Sequence, residues 1–152
     1  MIDEHQPARV TVATILIFAF WISTGLQADV LESYQWQHRL VVVAAQSTRA
    51  PALELQKEQA AKDHAGWAER KLRLLEIVGG VVKESDAIVA SEGDRILDRL
   101  SLDQDSFSVV LVGLDGTVKL RQSSPISNRQ LFSLIDAMPM RREELRMRGD
   151  PY

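Results

Sequence analysis

Residues 107–145 read FSVVLVGLDGTVKLRQSSPISNRQLFSLIDAMPMRREEL. An apolar run, Phe107–Gly113, meets a turn at Asp115-Gly116. A shorter alternating run follows, with Val118 and Leu120 set against Lys119 and Arg121. Asp-Gly between two such runs is a strong hairpin signal, because both residues tolerate positive φ. Leu131, Leu134, Ile135 and Met138 then recur at helical spacing, and Ser127-x-x-Gln130 is a capping box that starts this helix. Pro139 interrupts the pattern or restarts it as a first helical residue. Met140–Arg148 reads as a second, charged helical piece.

Working outward, Leu40–Ala45 (LVVVAA) is apolar at every position, which suits a strand covered on both faces. A polar loop, Gln46–Arg49, leads to Pro51 and a helix over 52–65 rich in Ala, Leu, Glu, Gln and Lys. His64 is expected near its C-terminal end, and Gly66 is expected to stop it. Residues 70–78 (RKLRLLEIV) form a second strand ended by Gly79-Gly80. Residues 81–90 read as loop. Ser91-x-x-Asp94 is a capping box before a short helix over 95–100. Residues 29–39, a lead-in carrying Tyr34, Trp36 and His38, read as an extended edge segment with Trp36 packed on the core.

The N-terminus reads as a secretory signal. Arg9 precedes the 13-residue apolar run Val10–Ile22, which is short of the roughly 18–20 residues that span a bilayer. Residues 1–28 are therefore expected to be a signal helix cleaved after Ala28, despite Asp3 and Glu4 in a region that should be positive. The alternative is an uncleaved anchor over residues 10–26, the only route to membrane attachment. The order strand, helix, strand, short helix, strand, strand, helix predicts an α/β fold. Its expected form is a mixed four-stranded sheet with helices on both faces, spanning residues 40–148, with a tail at 149–152.

Composition narrows function by exclusion. The chain has 152 residues, no cysteine, three scattered histidines and a formal charge of −3. Thiol catalysis, disulfides and Cys-ligated metals are excluded outright. The histidine spacing matches no zinc motif, the acidic balance argues against nucleic acid, and Gly79-Gly80 fits no phosphate loop. No metal, cofactor or catalytic residue is indicated.

The runs VVLVGLDGTVKLR (109–121) and LIDAMPMRREE (134–144), with GWAERKLRLLEI (66–77) and LVVVAA (40–45), resemble a bacterial family of uncharacterised exported domains. That family is similar to thioredoxin-like modules of animal sushi-repeat extracellular-matrix proteins. The resemblance implies a thioredoxin-like fold, a periplasmic or extracellular location and no settled activity. It marks Asp115, Gly116, Lys119, Asp136, Pro139, Arg141 and Arg142 as family-motif positions. Redox-active thioredoxins carry their nucleophile just after the first core strand, where this chain has Ser47, Thr48 and Arg49, and they have a proline where this chain has Ser106.

Each candidate residue also has a plain structural explanation. Ser47 and Thr48 are expected to N-cap the first long helix, whose start, with Arg49, would suit an anion or partner contact. Asp115 and Lys119 form a turn pair, and Asp136 is placed to bond Arg129 or Arg141. Arg141, Arg142, Arg146 and Arg148 interleave with acids, as on a solvated helix. With Met138 and Met140 beside them, they also make a candidate docking surface. Two functions are compatible with this: a non-catalytic exported module binding a protein or envelope component, or a cysteine-independent enzyme or oxidative-stress factor working at the first helix N-terminus.

Overall fold

The computed structural model describes residues 29–149. The expected signal or anchor at 1–28 lies outside the described residues, as do positions 150–152 of the tail.

The β-branched run that predicted a doubly covered strand forms β1 (Arg39–Ala44), buried at every position. Its neighbours are β2 (Leu72–Val78), parallel, and β5 (Ser108–Val112), antiparallel. Between β1 and β2 the chain crosses over through α2 (Pro51–Ala61) and α3 (His64–Glu69). The remaining strands are β3 (Val81–Glu84), β4 (Ala87–Ala90) and β6 (Val118–Gln122). The sheet has six strands in the order β4-β3-β2-β1-β5-β6, not four. Four further helices are found among the described residues: α1 (Val30–Tyr34), α4 (Gly93–Leu100), α5 (Asn128–Asp136) and α6 (Pro139–Arg148).

Strand alternation splits the apolar residues between two cores. Leu40, Val42, Leu75, Ile77, Val110 and Val112 pack with α1 and α4 through Leu31, Ile96 and Leu100. Val41, Val43, Leu72, Val109 and Leu111 pack with α2, α3 and α5 through Leu53, Trp67, Leu131 and Ile135. Helices therefore do cover both faces, which is why β1 is apolar from Leu40 to Ala44.

The two unexpected strands come from Gly79-Gly80. Both glycines have positive φ, +56° and +74°, so they are the centre of a two-residue hairpin turn and not the end of the sheet. Val81–Glu84, read as loop, therefore returns antiparallel along β2. A second tight turn at Ser85-Asp86, again with positive φ, sends β4 back along β3. Gly93 packs against the Gly79-Gly80 turn, its N–H donating to the Gly80 carbonyl at 2.8 Å. A Cβ there would stand 2.7 Å from the Gly80 carbonyl carbon.

Other local expectations change for similar reasons. Residues 30–34 are helical, capped by Asp29, so the lead-in is no edge strand, and Trp36 is 63% exposed. His64 opens α3 instead of ending α2. Asp63 caps α3 by accepting from the Gly66 N–H at 2.8 Å, which places Gly66 inside a helix. Pressed against Phe132, Gly66 has no room for a side chain. Glu92 and not Ser91 stands at the start of α4, with no side-chain cap. Ser127 does cap α5, and Pro139 restarts the chain as α6. The β5–β6 connection is longer than Asp-Gly alone: only Gly116 has positive φ, while Asp115 bonds forward to Thr117.

Candidate functional site

The loop after β1 is where sequence placed a candidate site. Ser47, Thr48 and Arg49 are exposed. Neither hydroxyl caps α2: Ala50 is at the cap position with no side-chain bond, and Pro51 follows. Because proline lacks an N–H, the helix start has one donor fewer to satisfy, and the Ser47 hydroxyl instead accepts from the Arg49 N–H at 3.1 Å. Thr48 lines a cavity of about 300 Å³ together with Glu76, Val78, Val81, Lys83 and Ile88.

Glu76 is a functional candidate that sequence reasoning missed. It sits on β2 at 5% exposure, on the α2 side of the sheet. Burial pushes its carboxyl above the ordinary carboxylate range, against the pull of Lys57, whose Nζ lies 3.6 Å away. Lys57 is held charged by its hydrogen bond to Asp86, at 3.1 Å across the β3–β4 turn. The only sequence signal was a single acid in an otherwise apolar strand end, LLEIV. Nothing in the sequence put Asp86 beside it, because that needs the β3–β4 hairpin.

Glu76 and Lys57 also border the larger cleft, about 680 Å³, which runs along the outer edge of β2. Its walls are α2 and α3 on one side and the Glu84–Asp86 turn on the other. His38 closes one end. The imidazole of His38 is held below its ordinary pKa by burial and by Arg73. Nearby, burial and a 2.6 Å hydrogen bond to Glu84 raise Tyr34 to about 12.

The other predicted residues belong to a different place. Arg141, expected on a solvated helix face, is 1% exposed. Its guanidinium meets Asp136 at 3.3 Å, the Glu69 carbonyl at 3.1 Å, the Glu69 carboxylate, and Glu144 at 3.5 Å. Arg70 pairs with both oxygens of Asp136, at 3.0 and 2.6 Å, while lying over the Phe132 ring. Arg39 at the start of β1 is equally buried and bonds Glu144 at 3.3 Å and the Arg70 carbonyl at 3.0 Å. Burial works against charge on both Glu144 and Arg141, yet the pairing wins in each case. Glu144 is held below its ordinary pKa by Arg39 and Lys71, and Arg141 is raised by Glu69 and Asp136. This network ties β1, α3, α5 and α6 together. Asp136 does bond Arg141, as one of two expected pairings.

Asp115 and Lys119 meet at 2.7 Å on the β5–β6 turn, far from either cavity lining. Burial alone would raise Asp115, but Lys119 and Thr117 bring it below its ordinary value. Arg146 is exposed on α6 and pairs with Glu143; Arg142 is exposed on the same helix. The structure thus spreads the candidates over three places: the β1–α2 loop, the β5–β6 turn and the α6 network. Among the described residues no three His, Asp or Glu side chains converge as metal ligands. No described helix is long and apolar enough to cross a membrane.

The family model described as "Domain of unknown function (DUF4174)" matches residues 30–144, and the chain belongs to that family. It is 28% identical to coiled-coil domain-containing protein 80 of Danio rerio over 133 aligned positions, covering 76% of this chain and 15% of the relative. It is 29% identical to the sushi repeat-containing protein SRPX of Rattus norvegicus over 130 positions, covering 81% of this chain and 28% of the relative. The chain therefore spans less than a third of the length of these relatives. No solved structure matches it significantly.

Proposed function

We propose that this chain is an exported, thiol-free thioredoxin-like module that binds a protein or envelope partner instead of turning over a substrate. The inner strands β2-β1-β5-β6 support the fold reading. They combine one parallel crossover through a helix with an antiparallel hairpin, which is the thioredoxin-like arrangement, and the β3–β4 hairpin extends it at one edge. The observation that carries the functional reading lies at the β1–α2 loop. Exchangers built on this fold place a thiol there, at a helix start that lowers its pKa. Here the loop is Ser47-Thr48-Arg49, exposed, in a chain with no cysteine. What remains for function is surface. Export rests on the apolar run Val10–Ile22.

Photo-crosslinking of the full chain in its native host, read by mass spectrometry, tests this. A reproducible protein partner is expected, with peptides mapped to a continuous surface. Recovery of no partner, together with turnover by the purified chain, would replace the binding reading by an enzymatic one. The enzymatic reading has one specific support: Thr48 and Glu76, whose carboxyl burial pushes above its ordinary pKa, line the same cavity. Hydrolysis by the purified chain that is abolished in Thr48→Ala and Glu76→Gln would establish it.

A further inference from the structure

We infer that the outer edge of β2 at Leu72–Leu74 docks an extended segment of a partner protein with an apolar–acidic–apolar sequence. This rests on the binding reading above and names its site.

The argument starts from backbone alternation. The Lys71 carbonyl accepts from the Arg39 N–H at 2.8 Å, and the Ile77 carbonyl accepts from the Ala45 N–H at 3.1 Å. Residues 71, 73, 75 and 77 therefore turn their backbone groups toward β1, and 72, 74, 76 and 78 turn theirs outward. β3 takes up only the last of these, pairing with Glu76–Val78. It then turns away at Ser85-Asp86. Leu72 and Leu74 are left presenting N–H and C=O groups to the large cleft, in line with the end of β3. The outer edge is thus half paired within the molecule and half open.

The walls define what fits. A strand running antiparallel to β2 continues the line of β3, and its residues opposite Leu72 and Leu74 point toward α2 and α3. There the lining offers Ala60, Ala61, Trp67 and Ala68, interspersed with Lys57, Glu58 and His64. The residue between them points to the other face, opposite Arg73. Arg73 is half-exposed, and its recorded ion pair runs from Nε to Glu84 at 3.6 Å, leaving its two terminal nitrogens for a carboxylate. Glu84 is itself occupied by the Tyr34 hydroxyl. Lys71, just before β2, is shared with Glu144 at 3.5 Å, and His38 stands in the same lining. The Arg73 guanidinium thus favours an acid at the middle position, although the cleft lining as a whole carries more carboxylates than cations, and the cleft of about 680 Å³ accommodates a short strand.

The test selects a random nine-residue phage-displayed peptide library on the full chain and follows binding of the winners by fluorescence anisotropy and amide hydrogen exchange. Enrichment of apolar–acidic–apolar peptides is expected. The Leu72 and Leu74 amides, fast in the free protein relative to Arg73 and Leu75, should become protected on binding. Ala68→Arg, an exposed change that fills the wall, should weaken binding at least tenfold while leaving the melting transition in place. Arg73→Ala should weaken the acidic peptide about tenfold and its asparagine analogue far less. Ile88→Asp on the exposed β4 edge should change nothing. Absence of enrichment, or protection at β4 in place of β2, would overturn the site. A partner crosslinked elsewhere would overturn this site and leave the binding reading standing; no partner and no peptide would end both.

Discussion

Two carboxylates, Glu76 buried and Glu144 partly buried, respond to desolvation in opposite ways. Glu144 has Arg39, Lys71 and Arg141 around it and is held below its ordinary pKa. Glu76, more deeply buried, has one lysine at 3.6 Å and is pushed above it. A desolvated charge is retained when enough counter-charge is fixed around it; otherwise it is poised to take up a proton. The α6 network is thus a structural clamp, saturated and closed. The β2 cleft is thinly compensated and open, which is the condition for meeting something else.

The comparison breaks most visibly at Arg141. Replacing it with Ala leaves Asp136, Glu69 and Glu144 short of a buried partner and should cost about 3–5 kcal/mol in urea unfolding. A cost under about 1 kcal/mol would show that the clamp is not structural. The same burial removes Arg141 from the docking surface read on α6. Binding assays should vary α6 at other positions.

Glu144→Gln is next, with an expected loss of about 2–3 kcal/mol near neutral pH. Its pH dependence follows from the lowered pKa. The stabilisation is present above the unfolded-state carboxylate pKa and is lost as pH falls through the lower folded value. The variant's deficit should therefore shrink in acid. Glu76 carries the opposite sign. Its raised pKa favours the folded state below the unfolded value, and that benefit disappears as pH rises through the folded value. Glu76→Gln should accordingly lie within about 1 kcal/mol of the parent at neutral pH and flatten the stability profile on its acid side. Parallel shifts for the two variants in stability-versus-pH curves would erase the distinction between clamp and cleft.

The smallest effect belongs to the partly exposed turn pair. Lys119→Ala removes the ion pair to Asp115 and should cost about 0.5 kcal/mol, largely screened in 0.5 M salt. A loss several times larger would mean that the family-motif turn bears on packing.

Much of the fold was readable in order along the chain. LVVVAA and FSVVLV announced buried strands because covered strands must be apolar throughout. Ser127 and Pro139 announced helix starts because few residues satisfy or dispense with the free N–H groups there. The site was far less readable. Gly79-Gly80 reads equally as a stop or as a hairpin, and only the return of Val81–Glu84 along β2 separates them. Without that hairpin, Asp86 and Glu84 have no reason to stand beside Lys57 and Arg73. Trp36 illustrates the same gap: its size argued for burial, but a five-residue helix ahead of it turns the ring to solvent.

By itself the sequence determined that no thiol or disulfide chemistry is possible, that β1 must be covered on both faces, and that a helix begins after Ser127. Those are local or compositional facts, settled by which atoms are present and which backbone groups each residue can satisfy. The tertiary structure decided which charges became a clamp and which stand beside an open strand edge. That outcome depends on neighbours tens of residues away in the chain, and burial changes the sign of a carboxylate's contribution according to the company it finds there.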